Sequence, residues 1–135
     1  PMIYGKDSKG NYPLLAKFAK ITPVFPNIEN KRSMLHIDNL CEFIKIMIDQ
    51  NEAGTYFPQN REYVETSELV RTIAQIQGKG IKLTKLLNPL IQKATKFGVI
   101  NKVFGSLVYD KSMSDDYCDT YQIRSFIESI EVTER

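Results

Sequence analysis

His36 is the chain's sole histidine, and Cys41 and Cys118 are its two cysteines. A zinc site draws on several Cys, His or carboxylate ligands at set spacing, so no metal centre is expected. Neither cysteine belongs to a Cys-x-x-Cys pair, which argues for a reduced, cytoplasmic setting and reads Cys41 as a buried structural thiol on a helix face. No Ser is bracketed by Gly at the spacing of a nucleophile elbow. Gly78-Lys79-Gly80 opens like a dinucleotide loop, yet Leu83 stands where the third Gly belongs, so the segment reads as a helix C-cap. None of the 7 tyrosines has Lys four residues later, the helical spacing at which an ammonium lowers a phenol pKa for proton transfer. The chain therefore carries no self-sufficient catalytic set.

Charge is distributed unevenly. From Leu69 to Tyr109 there is no Asp or Glu, while Arg71, Lys79, Lys82, Lys85, Lys93, Lys96 and Lys102 supply seven positive charges in a chain whose net charge is +2. Such a block suits the phosphates of a nucleotide, of nucleic acid or of a lipid surface, and it equally serves as a solvated face.

Short, alternating elements must position these groups. Asn11 caps a helix with Leu14, Leu15, Phe18 and Ala19 at helical spacing, and Pro23 and Pro26 stop it. Ser33 to Ile37 reads as a strand, after which Asp38 caps a helix carrying Leu40, Phe43, Ile44, Met47 and Ile48 on one face. Thr55 to Pro58 is a second strand. Thr66 or Ser67 caps the next helix, with Leu69, Val70, Ile73 and Ala74 as its stripe and Gly78 at its end. Ile81 to Thr84 is a strand, Asn88-Pro89 opens a helix whose Leu90, Ile91, Ala94 and Phe97 pack inward up to Gly98, and Ser106 to Tyr109 is a strand. A last helix, capped near Asp119 or Thr120, carries Ile123, Phe126, Ile127 and Ile130. The alternation predicts an α/β architecture in a single domain, 1–135. At 42% hydrophobic and 25% charged residues the composition excludes a disordered tail, and no apolar run approaches the roughly 18 residues of a membrane span.

Three stretches together resemble the carboxy-terminal half of the NAD-dependent epimerase/dehydratase family, the extended short-chain dehydrogenase/reductases, and especially its UDP-glucose 4-epimerase-like members. Pro1-Met2-Ile3-Tyr4-Gly5 is similar to the strand end that follows the family's catalytic helix. Arg32-Ser33-Met34-Leu35-His36-Ile37-Asp38-Asn39-Leu40 resembles its Arg-x-x-aliphatic-His-aliphatic-x-Asp-Leu segment, and Gly54 to Phe57 with Thr66 to Leu69 resembles the next strand, loop and capped helix. Tyr109-Asp110-Lys111-Ser112 and Phe126 to Ile130 are similar to the terminal Asp-x-Ser segment and last helix.

The resemblance implies a substrate-binding lobe lacking the Rossmann nucleotide-binding half, catalytically inactive alone, within a longer protein that binds NAD and a nucleotide-sugar; the opening at Pro1 rather than Met agrees with a fragment. It places Arg32 on the diphosphate, where a guanidinium donates two parallel N–H bonds. Pro1 falls beside the nicotinamide of NAD and Met2 beside the sugar, at a position where the family often carries Asn. Lys102, ahead of Phe104-Gly105-Ser106, falls near a second phosphate-binding position. His36 is expected to be a packed, hydrogen-bonded histidine. Partners implied are the nucleotide-sugar, the missing amino-terminal half and a second copy in a homodimer, since a lobe without its sheet leaves an apolar face and a strand edge uncovered. No nucleic acid and no integral membrane contact is expected on this basis. The alternative is a small basic-surface module for nucleic acid or an anionic membrane.

Overall fold

The computed structural model describes residues 1–94, 98–114 and 118–135, without the side chains at 92, 94, 99, 100, 102, 118 and 119. In chain order the elements are β1 (Met2–Tyr4), α1 (Asn11–Ile21), β2 (Val24–Pro26), β3 (Arg32–His36), α2 (Ile37–Asp49), β4 (Tyr63–Val64), α3 (Thr66–Ile76), β5 (Lys82–Thr84), α4 (Asn88–Ala94), α5 (Gly98–Phe104), a single 3-10 turn (Lys111–Met113), α6 (Cys118–Tyr121) and α7 (Phe126–Glu134). The fold is mixed α/β, built from helices and short strands.

β1 and β3 run parallel, Met2 beside Met34 and Tyr4 beside His36, with α1 in the crossover between them. β4 adds an antiparallel pairing to β3 at Arg32 and Ser33, and β2 with β5 forms a separate two-stranded parallel sheet. Strand side chains alternate between faces, so Met2, Tyr4, Arg32, Met34 and His36 share one face of the β1–β3 pair. On that face Tyr4 and Met34 join Leu15 and Ala19 of α1, the Leu69, Val70, Ile73 and Ala74 stripe of α3, and Ile130 of α7 in the main core. Leu35 points the other way, into a smaller cluster with Phe43 and Tyr121.

The helix ends differ from expectation in instructive ways. Gly10, at φ 98°, precedes α1 and Asn11 is its first residue, with no side-chain cap. His36 rather than Asp38 caps α2, its Nδ1 accepting from the Asp38 N–H at 3.2 Å. α3 starts from Glu65, because the Thr66 hydroxyl is turned to Asn30 and the carbonyl of Val103. Its far end is the expected glycine stop: Gly78 takes φ 74°, its N–H bonds Gln75 O, and the Lys79 N–H bonds Ala74 O. The last helix begins at Phe126, where Ser125 and Glu128 form a reciprocal capping box, and α6 is a separate turn.

Residues 55–58 form no strand. Their rings pack instead, Tyr56 on Phe43 and Phe57 on Tyr109, and the β3 carbonyl of Met34 is taken by the Asn60 N–H at 2.6 Å. Of Ser106 to Tyr109 only Leu107 bridges β3, at Arg32. β2 forms where prolines were expected only to break a helix; a two-stranded sheet is all edge, and Pro26 needs no N–H at the strand end. Of the helix from Asn88, described as far as Ala94, Leu90 is 67% exposed rather than packed inward, and Leu86 just before it is 89% exposed, while Phe97 lies outside the described residues. On α2 Phe43 is buried but Ile44 and Ile48 face solvent, and Cys41 is exposed rather than buried. No helix among the described residues is long and apolar enough to cross a membrane.

Candidate functional site

Arg32 opens β3 and is 4% exposed. Its Nη1 donates to the carbonyl of Val103 at 2.8 Å and of Gly105 at 3.2 Å, at the C-terminal end of α5, where a cation is favoured. Nε is buried without a hydrogen-bond partner, and among the described residues no carboxylate pairs with the guanidinium. Burial lowers its pKa from the ordinary value. Among the described residues this leaves a buried cation with an unused donor and no counter-ion, the kind of buried polar group that calls for an explanation.

A cavity of about 240 Å³ lies against it, lined also by Asn11, Asn101, Gly105, Ser106 and Leu107. Asn11 is the first residue of α1, an 11-residue helix with no acidic residue in its first turn. The positive end of that helix dipole and the guanidinium thus meet one space.

The walls are set by polar contacts spread along the chain. Asn30 Nδ2 donates to Thr66 Oγ1, Phe104 O and Gly105 O, and its Oδ1 accepts from the Thr66 N–H, which ties the end of α5 to the start of α3. The strap after α5 is held to β3 by Leu107 N–H to Lys31 O and Ser33 N–H to Leu107 O. Gly105 must be glycine here: a Cβ would stand 2.5 Å from the backbone oxygen of Asn101.

Pro1 and Met2 lie at the same end of the parallel pair as Arg32. Met2 is level with Met34, two residues and so ~7 Å along β3 from Arg32, and its side chain packs against the core. Lys102 sits on α5 one residue before Val103, its side chain outside the described residues. The fold thus gathers Pro1, Met2 and Arg32 with the helix that carries Lys102, while the pocket itself uses Asn11, Asn101 and Ser106, which the sequence did not mark. His36 lies at the opposite end of β3, 1% exposed. Its Nδ1 accepts from Asp38, so Nε2 carries the proton and donates to Thr133 Oγ1 at 3.3 Å, whose own hydroxyl donates to Ser129 O. Burial lowers its pKa, the Asp38 charge opposes this, and Arg124 adds to the lowering. It is a neutral helix cap.

A larger cavity of about 380 Å³ lies between residues 60–64 and 122–128, but its lining combines Arg61 and Arg124 with Glu62 and Glu128 and so has no net sign. The Arg32 cavity has the single sign that selects a ligand.

No family model and no curated protein matches the chain. Among solved structures it superposes on a crystal structure from Burkholderia cenocepacia J2315, provisionally described as an epimerase, with a TM-score of 0.52 over 98% of this chain at 13% identity. This chain spans 44% of the length of that one. At that identity the likeness is one of fold.

Proposed function

We propose that this chain is the substrate-binding portion of an NAD-dependent nucleotide-sugar epimerase or dehydratase of the extended short-chain dehydrogenase class, UDP-glucose 4-epimerase-like, and that the Arg32 cavity holds the diphosphate. The observation that carries it is the buried, carboxylate-free guanidinium of Arg32 facing the same space as the N-terminus of α1. Arg32 supplies charge, α1 supplies its dipole, and Asn101 and Ser106 supply polar edges for phosphate or ribose oxygens. Lys102, on α5, adds a second positive charge for the phosphates, and Met2 offers the sugar an apolar contact at the adjacent strand end.

Among the described residues no glycine-rich loop follows a strand to cradle NAD. Its dinucleotide site, and the groups that move the proton, belong in this reading to an amino-terminal portion. That portion, or a second copy, covers Ile3, Ile37, Ile44 and Ile48, which are 40–72% exposed.

Calorimetric titration with UDP-glucose, with UDP and with inorganic phosphate, on the parent chain and on Arg32→Met, tests the reading. Binding of the UDP species that disappears in the variant is the expected result. Equal binding by both proteins removes the diphosphate from Arg32.

A further inference from the structure

Residues 20–29 and 79–88 run side by side along one edge of the molecule. Lys79 Nζ donates to Lys20 O at 2.6 Å, Val24 is level with Lys82 in the β2–β5 register, Lys85 meets Glu29 at 3.0 Å, and Asn88 Nδ2 reaches Asn27 O at 2.7 Å. The inward row of this small sheet belongs to the core, with Phe25 buried and Leu83 packed beside it.

The outward row is divided: Pro26 is buried, whereas Val24 and Lys82 face solvent. Ile21 is 62% and Val24 40% exposed, and the turn into α4 leaves Leu86 and Leu90 at 89% and 67%. Between and beyond these aliphatic groups stand exposed Lys20, Lys79, Lys82 and Lys93, the last three within the acid-free stretch from Leu69 to Tyr109. The one carboxylate bonded to a lysine here, Glu29, is itself at the surface, where such a pair exchanges readily.

Aliphatic side chains this exposed among lysines fit one partner chemistry. Single-stranded nucleic acid would call for aromatic stacking platforms, and the ring on β2, Phe25, is turned into the core; a duplex would engage the lysines through its phosphates but leave the exposed aliphatic groups unused. An anionic bilayer takes both components: leucines enter the boundary between headgroups and acyl chains, and lysines extend their stems to the headgroup charges. We propose that this edge docks on anionic membrane surfaces, with Leu86 and Leu90 inserted and Lys79, Lys82 and Lys93 paired to the headgroups. The contact is peripheral.

The docking edge is separate from the nucleotide pocket. α1 joins them, Asn11 lining the cavity and Lys20 and Ile21 lying at the edge, ~15 Å apart along the helix. The inference therefore stands apart from the proposed function and is tested apart from it.

The full chain is sedimented with vesicles of phosphatidylcholine alone and of phosphatidylcholine with phosphatidylglycerol, at low and high salt, with a short DNA duplex as a separate ligand. The expected result is partition onto the anionic vesicles only, weakened by salt. Leu86→Glu with Leu90→Glu lowers the partition coefficient by at least ~tenfold, and Lys82→Gln with Lys93→Gln lowers it about fivefold per lysine. All four positions are exposed, and an unchanged circular dichroism spectrum shows that the variants fold. No partition by the parent chain, equal partition by the variants, or DNA binding without vesicle binding each overturns the proposal.

Discussion

The carbonyl of Val103 accepts from Arg32 Nη1 at 2.8 Å while also accepting from Thr66 Oγ1 at 3.0 Å. The Gly105 carbonyl is shared in the same way, between Arg32 and Asn30. Removing the arginine therefore orphans neither acceptor. What it does remove is a buried charge with no carboxylate partner, whose desolvation costs several kcal/mol against charge-assisted bonds of about 1.5–3 kcal/mol each. Arg32→Met, of similar length and apolar, is expected to be no less stable than the parent chain and up to about 2 kcal/mol more stable. Urea denaturation measures this. A loss of stability approaching the 3–5 kcal/mol typical of a broken buried pair would make Arg32 structural.

Gly105→Ala acts through space rather than charge. The new Cβ meets the Asn101 backbone oxygen at 2.5 Å, and the same carbonyl already accepts the Gly105 N–H at 2.7 Å, so the helix end has no slack. The expected cost is about 1–3 kcal/mol. The strap at Ser106 and Leu107 shifts with it, so UDP affinity should fall in parallel; an alanine variant matching the parent in both assays would show that the strap relaxes freely.

Much of this was legible in the residues. Apolar spacing located α1 and α3 because each sends a periodic stripe into the core, and α2 although only Phe43 of its stripe is buried, with Leu40 and Met47 packed beside it; Gly78 marked its helix end because a left-handed stop needs glycine. Arg32 could be singled out by its motif, whereas Asn11, Asn30 and Thr66 could not. The roles of Asn30 and Thr66 come from contacts 36 to 75 residues apart in sequence, such as Asn30 to Thr66 and to Gly105, and Asn11 lines a cavity with residues as distant as Leu107; local spacing holds no record of either. Leu86 and Leu90 were misread for a related reason. A helical stripe predicts burial only if something lies opposite, and α4 has no core face to meet.

His36 makes stability depend on pH between neutral and mildly acidic conditions. Burial holds its pKa below the ordinary 6.5, so on acidification the unfolded chain takes up the imidazole proton first. The contribution of the neutral ring is whole above that ordinary value, declines as pH falls below it, and levels off beneath the lowered folded value. Asp38 and Arg124 meet each other in an ion pair beside the ring, and their opposing effects on it leave the direction to burial. His36→Asn retains a cap for α2 but removes the titration. Denaturation midpoints are expected to fall from pH 7.5 to 5.5 in the parent chain and to stay flat in the variant; parallel slopes would assign the dependence to another group.

Tyr12 and Glu134 close the fold end to end. The Tyr12 hydroxyl donates to Glu134 Oε1 at 2.8 Å, Gln77 Nε2 donates to Oε2 at 2.6 Å, and the Tyr12 ring stacks on Tyr4 at 5.2 Å. Burial, the hydrogen bond to Glu134 and the Glu134 charge all push the Tyr12 pKa up, so the phenol stays protonated at neutral pH and remains a donor. Tyr12→Phe keeps the stack and deletes one charge-assisted bond, for an expected loss of about 1.5–3 kcal/mol. Glu134→Gln keeps an acceptor and loses the charge, so its cost should be smaller. Because the two groups touch, the double variant should cost less than the sum of the single ones, by a coupling of about 0.5–3 kcal/mol. Strict additivity in a double-mutant cycle would mean that α7 is held by Ile130 and Ser129 alone and that this contact adds nothing to the closure.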